Sequence, residues 1–487
     1  MERAVKTGKI LLWLFAAYYI VLFVVLALIR SQAFMEYGWT EGSQMLLVHR
    51  VLEGKALYTA PSLEYVSPIR GPLYIYISSI FAFFSGESYA LLRLVSLAAT
   101  LGSQFMIGML VWKQTGSKHA AWIAAGIYAG MFGVTDFTFD TARVDSLFVF
   151  FVLVMVYFLW IAYERGDTAV IWAACAALCA VLTKQNALIP VCGLSLWGLI
   201  IKNRKTRIAA ILCLSAVLCS QAVPAIAGNR WFYFFLYKVP AAHPLMSENI
   251  TDFLRYELLR YLAIACILSL SAPFVVLGKD GGKERAAFVA LFSLSMATAG
   301  LAPRFKIAGD VNNLMPFIAA IAVCCGLTAD HFIRQKGRRS ALIILLLLGL
   351  NLQIFYIPKN ALPSQAALID TRIELNLFRN IEGPVFAPCH PYLPILAGKN
   401  ESAFWSAIGD LLLTPGEERE RFKKELESAL EKKYFKSIVL LDRFYYMQDQ
   451  FPYPSLEANY RKQYPANLGI SGSFNGISLT VYVPKPE

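Results

Sequence analysis

Four stretches of the chain carry residue types that can do chemistry together. They are Trp39-Thr40-Glu41-Gly42, Tyr65-Val-Ser-Pro68-Ile-Arg70-Gly71-Pro, Asp140-Thr-Ala-Arg143-Val-Asp145 and Leu182-Thr-Lys184-Gln-Asn. A carboxylate can take or orient the proton of a hydroxyl group, and guanidinium and ammonium groups can hold an oxyanion. Each stretch also has a plainer reading. Glu41 falls in the first turn of a short amphipathic helix that Thr40 would cap and Gly54 would end, with Met45, Val48 and Leu52 on one face. There it complements the helix dipole, which holds it ionised and makes it a weaker base. A lone arginine such as Arg70 is commonly a snorkelling anchor at a membrane surface. Asp140, Arg143 and Asp145 suit a capping and ion-pair cluster at a helix start, and Lys184-Gln-Asn suits a polar turn. Residue types alone leave both readings open at all four places.

The elements that must position these residues are membrane spans. The chain has 487 residues, 57% of them hydrophobic and only 16% charged, with a mean hydropathy of +0.52. A soluble protein keeps roughly a quarter of its residues charged. The apolar residues come in runs of about 20, enough to cross the hydrocarbon of a bilayer. About 11 spans follow by length and hydropathy, at 10–30, 88–112, 119–136, 145–163, 168–184, 187–202, 206–227, 254–278, 286–302, 312–332 and 340–357. The first follows a basic start (Arg3, Lys6, Lys9) and reads as a retained signal anchor. The aromatic stretch Leu73–Ser85 is too short to span and suits an interfacial or re-entrant helix.

Charge fixes the sidedness. With 73–85 left out, Lys113/Lys118, Arg165, Lys202/Arg204/Lys205/Arg207, Lys279/Lys283/Arg285 and Arg334/Lys336/Arg338/Arg339 all fall on the side of the basic N-terminus, which the positive-inside rule makes cytoplasmic. The net charge of +12 is therefore mostly a topology signal, with no basic face suited to nucleic acid. The outer side receives loop 31–87, the segments Asp140–Asp145, Lys184–Asn186, Gly228–Asp252 and Pro303–Asn313, and everything after about Tyr356.

The expected architecture is a polytopic α-helical membrane domain over 1–358, with juxtamembrane helices in its first outer loop, followed by a small α/β soluble domain over 359–487 on the outer face. The tail balances its charges, holds a helical run from Gly416 to Lys433, and carries β-like runs at Pro384-Val-Phe-Ala, Ser437-Ile-Val-Leu-Leu and Ser478-Leu-Thr-Val-Tyr-Val. Eight of nine cysteines lie in apolar runs and only Cys389 in the tail, without ligand spacing for a structural zinc site.

A bundle of this size is a channel, a transporter, a scaffold or an enzyme. Transporters commonly place ionisable groups near span centres. Here the acidic residues gather at the outer ends of spans, which suits chemistry on a molecule lying at that interface, such as a lipid-linked substrate. A transporter or flippase for a lipid-linked saccharide and a non-catalytic scaffold are the alternatives.

In this order the motifs resemble the GT-C superfamily of membrane glycosyltransferases, in particular the bacterial branch with the lipid A aminoarabinose transferase and relatives of protein O-mannosyltransferases. Thr40-Glu41-Gly42 stands where the family often has Asp-Glu-Gly. Tyr65, Pro68 and Arg70 match the following turn, Arg143-Val-Asp145 an acidic span entrance, and Thr183-Lys184 a turn whose lysine meets donor phosphate. Trp231-Phe-Tyr-Phe-Phe, before Lys238 and His243, is similar to an aromatic outer-loop segment. Thr40 departs from the pattern and leaves metal use open.

The resemblance implies inverting transfer of a sugar from a polyprenyl-phosphate carrier to a lipid, glycan or protein acceptor, by a multi-pass protein of the bacterial inner membrane with a periplasmic C-terminal domain. Arg70, Arg143 and Lys184 are then expected at the donor phosphate. Glu41, followed by Asp145, is expected as the catalytic carboxylate, and Tyr65, Lys238 and His243 as substrate contacts. A divalent Mg or Mn ion, if used, would fall to Glu41 and Asp145.

Overall fold

The computed structural model describes residues 2–164, 168–277, 282–334, 338–441, 451–463, 469–470 and 477–486. Arg165, Lys279 and Lys336 of the basic loops lie outside these segments. The apolar runs form helices α1 (Glu2–Ser31), α2 (Trp39–Leu52), α3 (Leu73–Ser85), α4 (Tyr89–Thr115), α5 (Lys118–Gly130), α6 (Val144–Glu164), α7 (Ala169–Thr183), α8 (Leu188–Ile200) and α9 (Arg204–Ile226). Longer helical stretches then run over Ser247–Leu277, Gly282–Arg304 and Val311–Arg334, followed by Arg338–Gln353.

Among the described residues, 7 helices are long and apolar enough to cross a membrane, by length and composition. The expected spans 119–136, 168–184, 187–202 and 340–357 fall on shorter helices. α5 has 13 residues, α7 15, α8 13 and Arg338–Gln353 16. Thirteen residues rise only about 20 Å, against roughly 30 Å of hydrocarbon. Length therefore carries seven crossings, and the other four rest on the charge pattern. The bundle shows large apolar side chains such as Ile226, Leu270 and Phe274 on its surface, as lipid contact demands. The 311–334 helix is enclosed by its neighbours, burying Ile318, Cys324 and Leu327.

The loops sort into two groups. At one end the basic loops touch each other, Arg334 donating to the Thr115 carbonyl at 2.6 Å and Asn203 to that of Tyr163 at 2.9 Å. At the other end the loop after α1 meets 140–145, 184–185 and the tail. The helix α2 begins two residues earlier than expected, with Gly38 rather than Thr40 at its N-cap, and Thr40 lies inside its first turn. Gly54 follows its end in the left-handed region at φ 73°, as expected for a glycine there. Met45, Leu46, Leu47 and Val48 are all buried, so α2 is packed on every side rather than lying half-exposed on the membrane. The short α3 packs on α2, α4 and α7 and exposes Ile80, Phe83 and Phe84.

In the tail, strands β1 (Val385–Phe386), β2 (Ser437–Leu441), β3 (Tyr460–Gln463), β4 (Gly469–Ile470) and β5 (Ile477–Pro484) form a sheet ordered β1-β2-β5-β3, with β4 also on β5. β1 and β2 are parallel; β5 runs antiparallel to β2, β3 and β4. Leu426 and Phe422 of the Glu417–Glu431 helix and Ile438, Val439 and Leu440 of β2 belong to one buried cluster.

Candidate active site

Three backbone features bring distant residues into one cleft. Arg143 sits one residue ahead of α6, and Asp145 is in that helix's first turn. α7 ends where Lys184 turns to extended backbone at φ −152°, ψ 129°. The loop carrying Arg70 is pressed onto this turn, with Gln185 Nε2 donating to the Ile69 carbonyl at 2.8 Å. A Cβ at Gly71 would overlap the backbone at Leu182 and Thr183, so only glycine allows this approach.

The cleft has a volume of about 430 Å³ and is lined by Thr40, Arg70, Arg143, Lys184, His243 and Asp310, among others. Lys184 Nζ donates to Asp145 Oδ1 at 2.7 Å and to Asn313 Oδ1 at 2.9 Å, while Asn312 donates to Asp145 Oδ2 at 2.9 Å. Arg143 Nη1 lies 3.5 Å from Asp310 Oδ2, and Asp310 Oδ1 accepts from the Val311 N–H at 2.8 Å. His243 Nε2 lies 3.3 Å from Asp410 Oδ1, on the tail helix Trp405–Leu412. Arg70 has no hydrogen bond or ion pair to its side chain among the described residues. Its burial lowers its pKa; Asp145 and Asp410 act the other way and Arg143 adds to the effect. A half-buried guanidinium without a carboxylate of its own among the described residues is able to take an anion.

The sequence-expected residues divide sharply. Arg70, Arg143, Lys184 and His243 line this cleft, with Asp145 beneath Lys184. Glu41 lies outside it and is 1% exposed. Arg93 Nε and Nη2 reach its two oxygens at 3.0 and 2.5 Å, and the Tyr37 and Ala142 N–H groups add bonds of 2.8 Å each. Burial works to raise its pKa, but Arg93 and these N–H groups outweigh it and hold it below the ordinary glutamate value. Both oxygens of this carboxylate are thus taken by donors of the protein itself. Tyr65 is buried under the Arg50 guanidinium, 3.5 Å from its ring, and donates to the Leu57 carbonyl at 2.7 Å. Lys238 lies in a separate groove with Trp231, Tyr237 and Glu418.

The two carboxylates considered for a metal, Glu41 and Asp145, do not fit one. Each already spends both oxygens on protein donors, and no group of three or more His, Cys, Asp or Glu suited to a metal occurs among the described residues.

Sequence reasoning missed Arg93, Asp310, Asn312, Asn313 and Asp410. An arginine inside an apolar run is itself a signal that Arg93 must have a partner. Asp310-Val-Asn-Asn showed only as part of a polar loop, and Asp410 gave no signal, because its place depends on how the tail packs.

Residues 68–227 match the family model described as dolichyl-phosphate-mannose-protein mannosyltransferase, a segment holding Arg70, Arg143 and Lys184. The fold is shared with ArnT from Cupriavidus metallidurans bound to undecaprenyl phosphate, at a TM-score of 0.60 and 12% identity over 97% of this chain and 99% of that one. The chain shares the fold of this ArnT structure. The same architecture recurs in the archaeal oligosaccharyltransferase AglB from Archaeoglobus fulgidus, solved with an inhibitory peptide and a dolichol-phosphate, at a TM-score of 0.56 and 12% identity over 91% of this chain and 72% of that one. No curated protein sequence matches significantly. The resemblance to GT-C glycosyltransferases seen in the motifs thus extends to a family model and to the whole fold.

Proposed function

We propose that this GT-C protein transfers a sugar from a polyprenyl-phosphate carrier to an acceptor at the outer face of the bacterial inner membrane. The observation that carries this reading is the meeting of Arg70, Arg143 and Lys184, from three separate segments, around one cleft. The phosphate of the carrier sits against Arg70 and Lys184, and its tail stays in lipid between spans. When the sugar's C1–O bond breaks, the charge arriving on phosphate is met by cations already in place, which lowers the barrier more than the same groups would in water. Attack by the acceptor oxygen from the opposite side inverts C1 in a single displacement. The carriers bound in ArnT and AglB, undecaprenyl phosphate and dolichol-phosphate, support this donor class.

Asp145 and Glu41 take positioning roles in this reading. Asp145 aims the Lys184 ammonium, and Glu41 fixes Arg93 and the loop after α1. The test is incubation of the purified full chain in lipid nanodiscs with a panel of radiolabelled polyprenyl-phosphate sugars. Release of polyprenyl phosphate with loss of sugar from the carrier is the expected result. Movement of intact lipid-linked sugar across the bilayer without consumption identifies a transporter instead. Reporters fused after Arg207 and Arg339 should read cytoplasmic and those after Ala60 and Lys399 outer-face; an outer-face signal at Arg207 reverses the layout.

A further inference from the structure

We propose that Asp310 is the catalytic carboxylate that takes the acceptor's proton, an assignment that rests on the transfer reading above. The described carboxylates in or beside the cleft region include Glu41, Asp145, Asp410 and Asp310, and their surroundings differ. Glu41 accepts four hydrogen bonds and is 1% exposed. Asp145 has one oxygen on Lys184 and the other on Asn312, with its side chain 5% exposed. Asp410 faces the His243 imidazole and its side chain is 13% exposed. The Asp310 side chain is 53% exposed, and its Oδ2 has only a long 3.5 Å contact to Arg143. Its Oδ1 is fixed on the Val311 N–H, and its backbone carbonyl accepts from Asn313 Nδ2 at 3.0 Å. The residue is thus held at the start of a helix, with one oxygen turned over to neither backbone nor a tight ion pair.

Position completes the argument. Asn312 and Asn313, its next neighbours but one and two, hold Asp145 and Lys184, so Asp310 is tied to the proposed phosphate site by the same short turn. Arg143 stands between the two, lining the cleft and touching Asp310. Thr40, also on the cleft wall, offers a hydroxyl and no carboxylate.

In the step itself the acceptor oxygen forms a bond to the sugar's C1. The C1–O bond to phosphate breaks and its electron pair leaves with the polyprenyl phosphate. The hydroxyl proton passes to Asp310 Oδ2, and the exposed carboxylic acid returns it to water. Donor and acceptor together close the balance, and no oxidant or reductant is needed.

The test uses full-length chain in nanodiscs, undecaprenyl phosphate as the binding probe, and whichever polyprenyl-phosphate sugar the wild type consumes. Asp310→Asn should lower turnover by about a hundredfold or more, with undecaprenyl phosphate affinity within about twofold of wild type, the retained binding reporting an intact fold. Sodium formate should restore part of the turnover of Asp310→Ala, which a purely structural role would not allow. Turnover of Asp310→Asn within about threefold of wild type overturns the assignment, as does a loss of carrier affinity as large as the loss of turnover. A wild type that consumes no donor overturns the transfer reading beneath it, a result distinct from an active wild type matched by an active Asp310→Asn.

Discussion

Glu41 and Asp310 are both acidic side chains at the same end of the bundle, yet they are held in opposite ways. Glu41 is enclosed with Arg93, whose guanidinium also donates to the carbonyls of Arg30, Ala33 and Met35. Arg30 in turn pairs with Asp140 at 2.8 Å and stacks 3.9 Å from the Tyr37 ring. The whole network fastens the end of α1, the start of α2 and the start of α4, with nearly every donor given an acceptor. In the cleft the reverse holds: among the described residues Arg70 has no hydrogen-bond or ion-pair partner, and Asp310 is half open. A saturated ion network stabilises a fold and has nothing left for a substrate, whereas an under-satisfied group is a cost that binding can relieve. Charge alone does not mark a site; the absence of a partner does.

The sharpest way to break this contrast is to remove one partner on each side and read stability. Glu41→Gln should destabilise the protein by about 3–5 kcal/mol, because it leaves the Arg93 charge buried without its counter-ion. Adding Arg93→Met should recover part of that loss, since it removes the buried charge left without its counter-ion. Asp310→Asn should move the thermal midpoint very little. A Glu41→Gln variant as stable as wild type but without turnover would move Glu41 back into the reaction.

On the cleft side, Arg70→Ala and Lys184→Ala should each weaken undecaprenyl phosphate binding by roughly 1.5–3 kcal/mol, the usual loss for a hydrogen bond to a charged group. The double variant should lose less than the sum, because both groups share one phosphate. Additive effects, or an unchanged affinity in Lys184→Ala, would mean that the two cations serve separate ends. Gly71→Ala tests the geometry that joins them. Its Cβ overlaps the Leu182 backbone, so the loop must lift from the Lys184 turn, at an expected cost of about 1–3 kcal/mol in stability together with weaker carrier binding. Normal carrier affinity in Gly71→Ala would show that Arg70 and Lys184 need not be this close.

The smallest effect concerns a third ion group, between the two domains expected from the sequence. His390 of the tail lies 3.3 Å from Glu36 and 4.0 Å from Glu374. Burial lowers its pKa, but the two carboxylates outweigh this and raise it to about 9. A raised histidine stabilises the folded form fully below its ordinary pKa of about 6.5, and that contribution fades as pH climbs towards 9. Thermal stability should therefore decline from neutral to mildly alkaline pH, and His390→Gln should flatten that decline. An unchanged slope in the variant would assign the pH dependence elsewhere.

How much was legible beforehand follows from which properties are local. The strands at 385–386, 437–441 and 477–484 and the helix at 417–431 fall where β-branched runs and a Glu/Lys-rich run stood in the sequence. Arg70, Arg143 and Lys184 could be gathered at one interface because span length and loop charge decide which end a loop occupies. The helix starts at Trp39, two residues ahead of the start that a Thr40 cap implies, since Gly38 takes the cap and the Glu41 side chain reaches back to the Tyr37 N–H.

By itself, then, the sequence determined a membrane bundle, its two groups of loops and the positions of the tail's main elements, while the grouping of Arg70, Arg143 and Lys184 at one site was what the family resemblance implied. The bundle, the loops and the tail elements rest on hydrophobic length, periodicity or charge within a short window. Only the tertiary structure decided which carboxylate is filled and which is open. Beyond the nearby Tyr37 N–H, the partners of Glu41 lie 52 and 101 residues away, at Arg93 and Ala142, and Arg143 meets Asp310 across 167. Whether a carboxylate is a strut or a reagent depends on how many donors reach it, and those donors arrive only when the chain has folded.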